Sequence, residues 1–379
     1  MNIEELKQEI IAHSKTIGID KIGFTTADPF VELKERLRRQ QELGYQSGFE
    51  KGTIAERTEP RLLFPEAQSI ISIAVAYPAK MAEAPKSTRS DRRGVFCRAS
   101  WGTDYHDVLK ERLQKLADFI KSKQDAFSGK LMVDTGELVD KAVAERAGIG
   151  FGGKNTLLIT PEFGSYVYLG ELITNIPFSP DEPLDDSCGD CRICIDVCPT
   201  GAIIQGGQLD SQRCIAFLTQ VKDFVPEEYR DKIGNRLYGC DTCQAVCPRN
   251  RHVDNHFHAE LEPEPEITKP SLKPILKMSN RQFKETYGHM AGSWRGKKPI
   301  QRNAIIALGV YKDASAEEDL IELMDADPRP VMRGTAAWSL GKIGTEKALQ
   351  AIEIAMNKET DEQVLYEMKN AIKINEGVK

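Results

Sequence analysis

The chain has no long apolar run. A helix that crosses a bilayer needs roughly 20 consecutive apolar residues, and the longest candidate, Ile70-Ile71-Ser72-Ile73-Ala74-Val75-Ala76-Tyr77, is far shorter and stops at Pro78. It reads as a buried strand. An excess of positive charge is also missing: 51 Lys and Arg stand against 57 Asp and Glu in 379 residues, a net charge of −6. That excludes a uniformly basic nucleic-acid binder, although charge can be local. The opening Met1-Asn2-Ile3-Glu4-Glu5 does not read as a signal peptide. Nine cysteines, an odd number in a long chain, do not fit the disulfide framework of a small secreted domain. A thiol-rich, untargeted chain of this kind is expected in the cytoplasm. Its hydrophobic content of 40% can fill two or three cores.

The cysteines carry the strongest signal. Two groups each end in Cys-Pro: Cys188-x2-Cys191-x2-Cys194-x3-Cys198-Pro199, and Cys240-x2-Cys243-x3-Cys247-Pro248 with Cys214 upstream. Bacterial ferredoxins use this run to hold two 4Fe–4S clusters, the fourth cysteine of each run ligating the other cluster. Zinc is the rival, since Cys-x2-Cys pairs also build structural zinc sites, but three cysteines at intervals of three followed by Cys-Pro suit a cubane better. By the crossover rule one cluster takes Cys188, Cys191, Cys194 and Cys247. The other takes Cys198, Cys240 and Cys243. A symmetric ferredoxin would place the remaining ligand three residues before Cys240, where Leu237 stands, so the vacancy falls to Cys214. Such a pair of clusters moves single electrons. Cys97 lies outside both runs, and a buried thiol without a chemical role is its plainer reading.

Three regions follow from the patterning. Residues 1–178 alternate helix and strand signals. A helix is predicted from Ile3 to about Thr16, a strand over Lys21–Thr26, and a helix from Tyr105 with Leu109, Leu113, Leu116 and Ile120 on one face. Strand signals at Leu131–Val133, Leu157–Thr160 and Tyr166–Leu169 complete an α/β domain. Residues 179–255 form a ferredoxin-like double-cluster domain. The acidic, proline-bearing stretch from Glu260 to Glu266 marks a linker, within a segment 256–298 that also carries basic residues. Over 299–379 a period of 32 residues appears: Ala304, Leu308 and Gly309 recur as Ala336, Leu340 and Gly341, and Leu320 as Ile352. Paired helices with such a period stack as HEAT-type repeats, and so few repeats must dock on the rest of the chain.

Three further features invite a function, each with a plainer alternative. Arg281, Lys284, Arg295, Lys297, Lys298 and Arg302 surround Trp294 against one acid, Glu285. Positive charge around an aromatic suits RNA, and a solvated helix face is the alternative. Gly148-Ile149-Gly150-Phe151-Gly152-Gly153 matches G-x-G-x-x-G, but its order is helix, glycines, strand, so it is no dinucleotide fingerprint. It is either a close approach to a bulky ligand or a helix stop. Asp134 closes a predicted strand, where ligand-facing acids sit in open α/β sheets, or it is a turn acid.

Taken together, Asp134-Thr135-Gly136, the stretch from Ala147 to Thr156, both Cys-Pro runs, Trp294-Arg295-Gly296 and Arg302-Asn303-Ala304 resemble the epoxyqueuosine reductases over essentially the whole chain. The resemblance implies reduction of the epoxide of epoxyqueuosine to an alkene at the wobble position of tRNA, with a cobalamin and two 4Fe–4S clusters. It implies Asp134 as general acid, with a pKa raised by burial. It also implies Arg57, Cys97, Lys154, Asn155, Thr156, Leu158, Ser165 and Leu169 near the corrin. The nearest run to D-x-H-x-x-G is Asp104-Tyr105-His106 without its glycine, so a base-off cobalamin with no histidine ligand is expected. Arg281, Trp294, Arg295, Lys297, Lys298 and Arg302 become tRNA contacts, and a soluble, low-potential flavodoxin- or ferredoxin-like protein becomes the electron donor. The alternatives are a reductive dehalogenase, which would usually carry an export signal and needs no basic repeat tail, and a ferredoxin-like electron carrier, which leaves residues 1–178 without a purpose.

Overall fold

The structure, a computed structural model, describes residues 2–185 and 187–376, and the chain divides into two compact units. The first comprises Met1–Lys80, Gly102–Cys214 and Asp241–Glu262. It is built on one sheet of Lys21–Thr26 (β1), Ser69–Ala76 (β2), Gly129–Met132 (β3) and Val167–Thr174 (β4) in the order β1-β2-β4-β3. Every neighbouring pair is antiparallel. All of β2 is buried, including Ser69 and Ser72, as a strand covered on both faces requires.

Helices cover the sheet. Ile3–Thr16 (α1) opens with a capping box between Asn2 and Glu5. Tyr105–Lys123 (α2) is capped by Asp104, whose carboxylate accepts the His106 N–H at 3.0 Å, and it buries Leu109, Leu113, Leu116 and Ile120 completely. Asp140–Arg146 (α3) packs on β1, β2 and β4. The predicted elements are therefore present, but the sheet is antiparallel. Asp134 does not end a parallel strand; it lies in the loop after the edge strand β3.

The second unit comprises Met81–Trp101, Ile215–Cys240 and Pro263–Lys379. These units do not follow the boundaries expected near residues 178, 255 and 298. The reason is packing: Ile215, Leu218, Val225 and Ile233 share a core with Ile306 and Trp338, so the middle of the cysteine-bearing region folds with the repeats. The chain passes between units at Glu262–Pro263, inside the acidic stretch expected as a linker.

Five helices form the repeats: Lys297–Val310 (α4), Glu317–Ala326 (α5), Pro330–Ile343 (α6), Glu346–Met356 (α7) and Glu362–Glu376 (α8). The 32-residue period is the spacing of their buried seam, since Ala304, Leu308, Ala336, Leu340, Leu320 and Ile352 are all fully buried. Gly309 and Gly341 occupy matching places where the next repeat comes in. A Cβ on Gly309 would lie 2.7 Å from Ser339 Oγ, and one on Gly341 2.6 Å from the Ala371 carbonyl oxygen. Phe96, Leu237, Leu272, Ile275 and Tyr287 extend the same core, so the repeats do not stand alone. Arg230 and Glu367 make a buried bidentate pair, both contacts 2.6 Å.

Candidate active site and cluster cradle

Asp134 adopts a φ of +47°, a left-handed conformation that is uncommon without glycine. The start of α2 comes to it. Tyr105 donates its phenolic O–H to Oδ2 of Asp134 at 2.5 Å, and Nε2 of His106 lies 3.3 Å from the same oxygen. The other ring nitrogen of His106 meets Asp104 at 2.7 Å. Burial favours the neutral ring, but the Asp104 and Asp134 carboxylates outweigh it and push His106 up to about 9. His106 is thus an imidazolium at neutral pH.

That cation changes the expectation for Asp134. Its pKa is lowered, not raised: the His106 contact and then the Tyr105 hydrogen bond hold it down, and its side chain is 59% exposed rather than buried. The proton of the group rests on His106. A row of rings backs the group, with Tyr105 stacked on Tyr168 at 4.5 Å and Tyr77 tilted against Tyr168 at 4.4 Å. The sequence reading missed Tyr105, His106 and Tyr168 as a group. The available signal was an Asp-Tyr-His run at a helix start and the alternate tyrosines Tyr166 and Tyr168 around the start of β4.

The glycine-rich segment turns out of α3 into a two-stranded hairpin of Phe151–Gly152 and Leu158–Ile159. Lys154, Asn155 and Thr156 form its turn, Thr156 with a φ of +72°. Leu158, Asn155 and Ser165 are buried and Leu169 is half-buried. Ser165 is held by Asn250 and Gln244 through its backbone N–H and its hydroxyl, at 2.9 and 2.8 Å. Lys154 donates to the Gly189 carbonyl. Asn155 accepts the Leu157 N–H through Oδ1 at 3.2 Å, yet its buried Nδ2 has no partner. An orphaned amide donor in a segment of small residues fits a bulky ligand that carries carbonyl groups, as a corrinoid does. Arg57 lines a cleft of about 730 Å³ with Lys34, Arg38, Gln41, Gln46 and Glu50. Lys51 beside that cleft pairs with Glu137 of the Asp134 loop at 3.6 Å.

None of the nine cysteines is in a disulfide. Burial raises the Cys194 thiol, and the charges of Cys247, Cys188 and Cys191 raise it further; burial raises Cys247 as well. Cys198 is lowered although burial opposes, because the backbone N–H groups of Ile203, Thr200 and Ala202 point at its sulfur. Donors of this kind stabilise a cluster-bound thiolate. Cys214 ends the turn Ser211–Arg213, and Cys243 lies in the short helix Thr242–Ala245. In the second unit, Cys97 abuts Gly239, the residue before Cys240. A Cβ on Gly239 would lie 2.2 Å from its Sγ.

The basic patch divides. Trp294 is 53% exposed, donates its indole N–H to Gln220 at 2.8 Å, and has the Arg295 guanidinium over its ring at 4.9 Å. Arg281 is exposed beside Glu285, and Lys298 is half-exposed. Lys297 is lowered by burial and then by Arg329, and its ammonium is bound to the Met278 carbonyl at 2.7 Å. Arg302 corrects the expectation of a phosphate contact. It is 0% exposed, donates to the carbonyls of Val221, Asp223 and Leu218 at 2.6–2.8 Å, and is pushed down to about 9 by burial and then by Arg230. It ties the 218–223 turn to α4 and cannot reach a phosphate from there.

Three family models match the chain: Epoxyqueuosine reductase QueG, DUF1730, over residues 57–135; 4Fe-4S double cluster binding domain over 187–250; and HEAT repeats over 296–373. The epoxyqueuosine reductase of Bacillus cereus is 65% identical over 99% of this chain and 98% of its own length. That of Bacillus subtilis is 62% identical over 99% and 97%. A crystal structure of epoxyqueuosine reductase with a tRNA-Tyr epoxyqueuosine-modified tRNA stem loop superposes with a TM-score of 0.97 at 61% identity, covering 99% of this chain and all of that one. A Bacillus subtilis structure, described as having its Asp134 catalytic loop swung out of the active site, gives 0.97 at 60% identity, covering 98% of this chain and 100% of that one. With this likeness over nearly its whole length, the chain belongs to the epoxyqueuosine reductase family.

Proposed function

We propose that Asp134, with Tyr105 and His106, delivers the protons for the family's reaction, the reduction of epoxyqueuosine to queuosine in tRNA. The net change adds two electrons and two protons to the epoxide, breaks both of its C–O bonds and releases water. The observation that carries the proposal is the convergence of Tyr105 and His106 on one oxygen of Asp134. Asp134 stands toward the departing oxygen, and the proton it passes on comes from His106, whose Nε2 lies 3.3 Å from Oδ2. Tyr105 fixes that oxygen in place. The relative whose Asp134 loop is called catalytic supports the same role here.

When bound, two 4Fe–4S clusters would pass electrons singly to a base-off cobalamin, which carries the reduction itself. Cys188, Cys191, Cys194 and Cys247 hold one cluster, and Cys198, Cys214, Cys240 and Cys243 the other. Lys154, Asn155, Thr156, Leu158, Ser165 and Leu169 line the corrinoid, with Arg57 and Cys97 at its margins. Trp294 and Arg295 offer a stacking face and a charge to the tRNA, with Arg281, Lys297 and Lys298 as phosphate contacts. A relative bound to a modified stem loop supports that partner. A soluble flavodoxin- or ferredoxin-like protein supplies the electrons, and the reaction takes place in the cytoplasm.

The test is anaerobic purification with cobalamin supplied, followed by metal analysis and turnover of epoxyqueuosine tRNA. About eight irons and one cobalt per chain are expected for two cubanes and one corrinoid. Eight irons without cobalt, and no turnover, would leave an electron carrier in its place.

A further inference from the structure

Behind Asp134 lies a second carboxyl group with no surface at all. Glu171 is the one charged residue of β4; it is 0% exposed, and neither of its oxygens meets an ordinary hydrogen-bond donor. Its register partners bring no charge. They are Ser72 on β2, whose buried Oγ also lacks a partner, and Met132 on β3. The group that faces Glu171 is the Asp140 carboxyl from the first turn of α3, within hydrogen-bonding range, and the next charge is Asp134.

Two carboxyl groups bond to each other only when one carries a proton, because two carboxylates offer acceptors and no donor. Burial pushes Glu171 well above the carboxylate range, and the Asp140 charge adds to it. Asp140 itself rises to about 7, through burial and then the Asp134 charge. Glu171 therefore holds the proton that the contact requires, and Asp140 accepts it. Asp140 also makes a contact outward: its Oδ2 accepts the backbone N–H of Asp134 at 2.8 Å. That N–H belongs to the residue with the φ of +47°.

We propose that Glu171 and Asp140 form a proton-sharing pair that fixes the backbone of Asp134, so that its side chain meets Tyr105 and His106. Both are positioning residues, and the proposal rests on Asp134 being the acid of the reaction. If the shared proton is lost, two carboxylates face each other in a buried place with the Asp134 N–H as their donor, and their repulsion displaces Asp140 from that anchor.

Conservative and non-conservative variants separate this role from mere packing. Glu171→Gln keeps an N–H donor toward Asp140 and should hold kcat within about threefold of wild type, whereas Glu171→Leu should lower kcat about a hundredfold at unchanged KM, as a misplaced catalytic group does. The infrared spectrum of the apoprotein gives a readout independent of turnover and of the folding of Glu171→Leu. A protonated-carboxyl band should appear at neutral pH in wild type and in Asp134→Asn, and should be missing from Glu171→Gln. Equal loss of turnover in both Glu171 variants, or no such band in wild type, overturns the proposal. Full activity in Asp134→Asn with the band intact overturns the role of Asp134 instead, so the two failures are told apart.

Discussion

Oδ2 of Asp134 accepts the Tyr105 phenol at 2.5 Å and lies 3.3 Å from Nε2 of His106. One oxygen thus faces a neutral donor and a cationic one, each from the first turn of α2 and each placed by the Asp104 cap. Removing the carboxylate removes the meeting point. Asp134→Asn should lower kcat on epoxyqueuosine tRNA by about a hundredfold or more, the usual worth of a general acid, with tRNA affinity unchanged. Tyr105→Phe keeps the ring stacked on Tyr168 and should cost about tenfold, roughly one hydrogen bond to a charged group. Single-turnover rates and stem-loop binding by the same variants check both.

The pH dependence has a fixed sign. His106 is raised to about 9, so its proton is present at neutral pH and is lost as pH rises through that value. Turnover should fall on the same limb, and His106→Gln should abolish the limb. The folded state gains from the same proton: that contribution is complete below the ordinary histidine value of about 6.5 and disappears as pH rises through about 9. A kcat profile from neutral to alkaline pH, beside melting curves of the apoprotein, separates the two effects.

Arg302 and Arg295 should behave differently although both lie in the basic stretch. Arg302→Met strands the carbonyls of Leu218, Val221 and Asp223 inside the second unit and should destabilise it by about 3 kcal/mol. Trp294→Ala with Arg295→Ala, which removes two contacts to Gln220, should lower the melting temperature less than Arg302→Met, weaken stem-loop binding and flatten its salt dependence. Thermal melts and binding at two salt concentrations decide it.

Gly239 cannot tolerate a side chain, since its φ is +71° and a Cβ would lie 2.2 Å from Cys97 Sγ. Gly239→Ala must displace Cys97 or the adjoining Cys240. The variant should lose one cluster, about half of the eight irons of two cubanes, and iron analysis with electron paramagnetic resonance of the reduced protein reads this directly. A double variant with Cys97→Ala, which removes the clashing sulfur, should recover part of the iron.

Periodicity revealed most of the fold because burial imposes it. Leu109, Leu113, Leu116 and Ile120 declared α2, and the 32-residue recurrence of Ala304 and Leu308 marked the seam of the repeats. Sheet direction was not legible, because a short apolar run reads alike in parallel and antiparallel neighbours. Arg302 misled for a related reason: composition records its charge but not the three carbonyls that enclose it. His106 and Glu171 gain their meaning from partners far along the chain. Glu171 alone left a trace, as a charge within the otherwise uncharged strand Val167–Thr174.

Neither unit is continuous in sequence, and that bears on how the protein is made. The first unit takes its last piece from Asp241–Glu262, so its parts are not all available until the ribosome has passed that point. Residues 81–101 leave the exit tunnel early but pack with helices that are translated last. A chain that usually folds from its N-terminus as it emerges is here kept waiting, with its cysteines uncovered. Iron–sulfur assembly is therefore expected to wait until translation has passed residue 262, where the unit that carries most of the cysteines is completed.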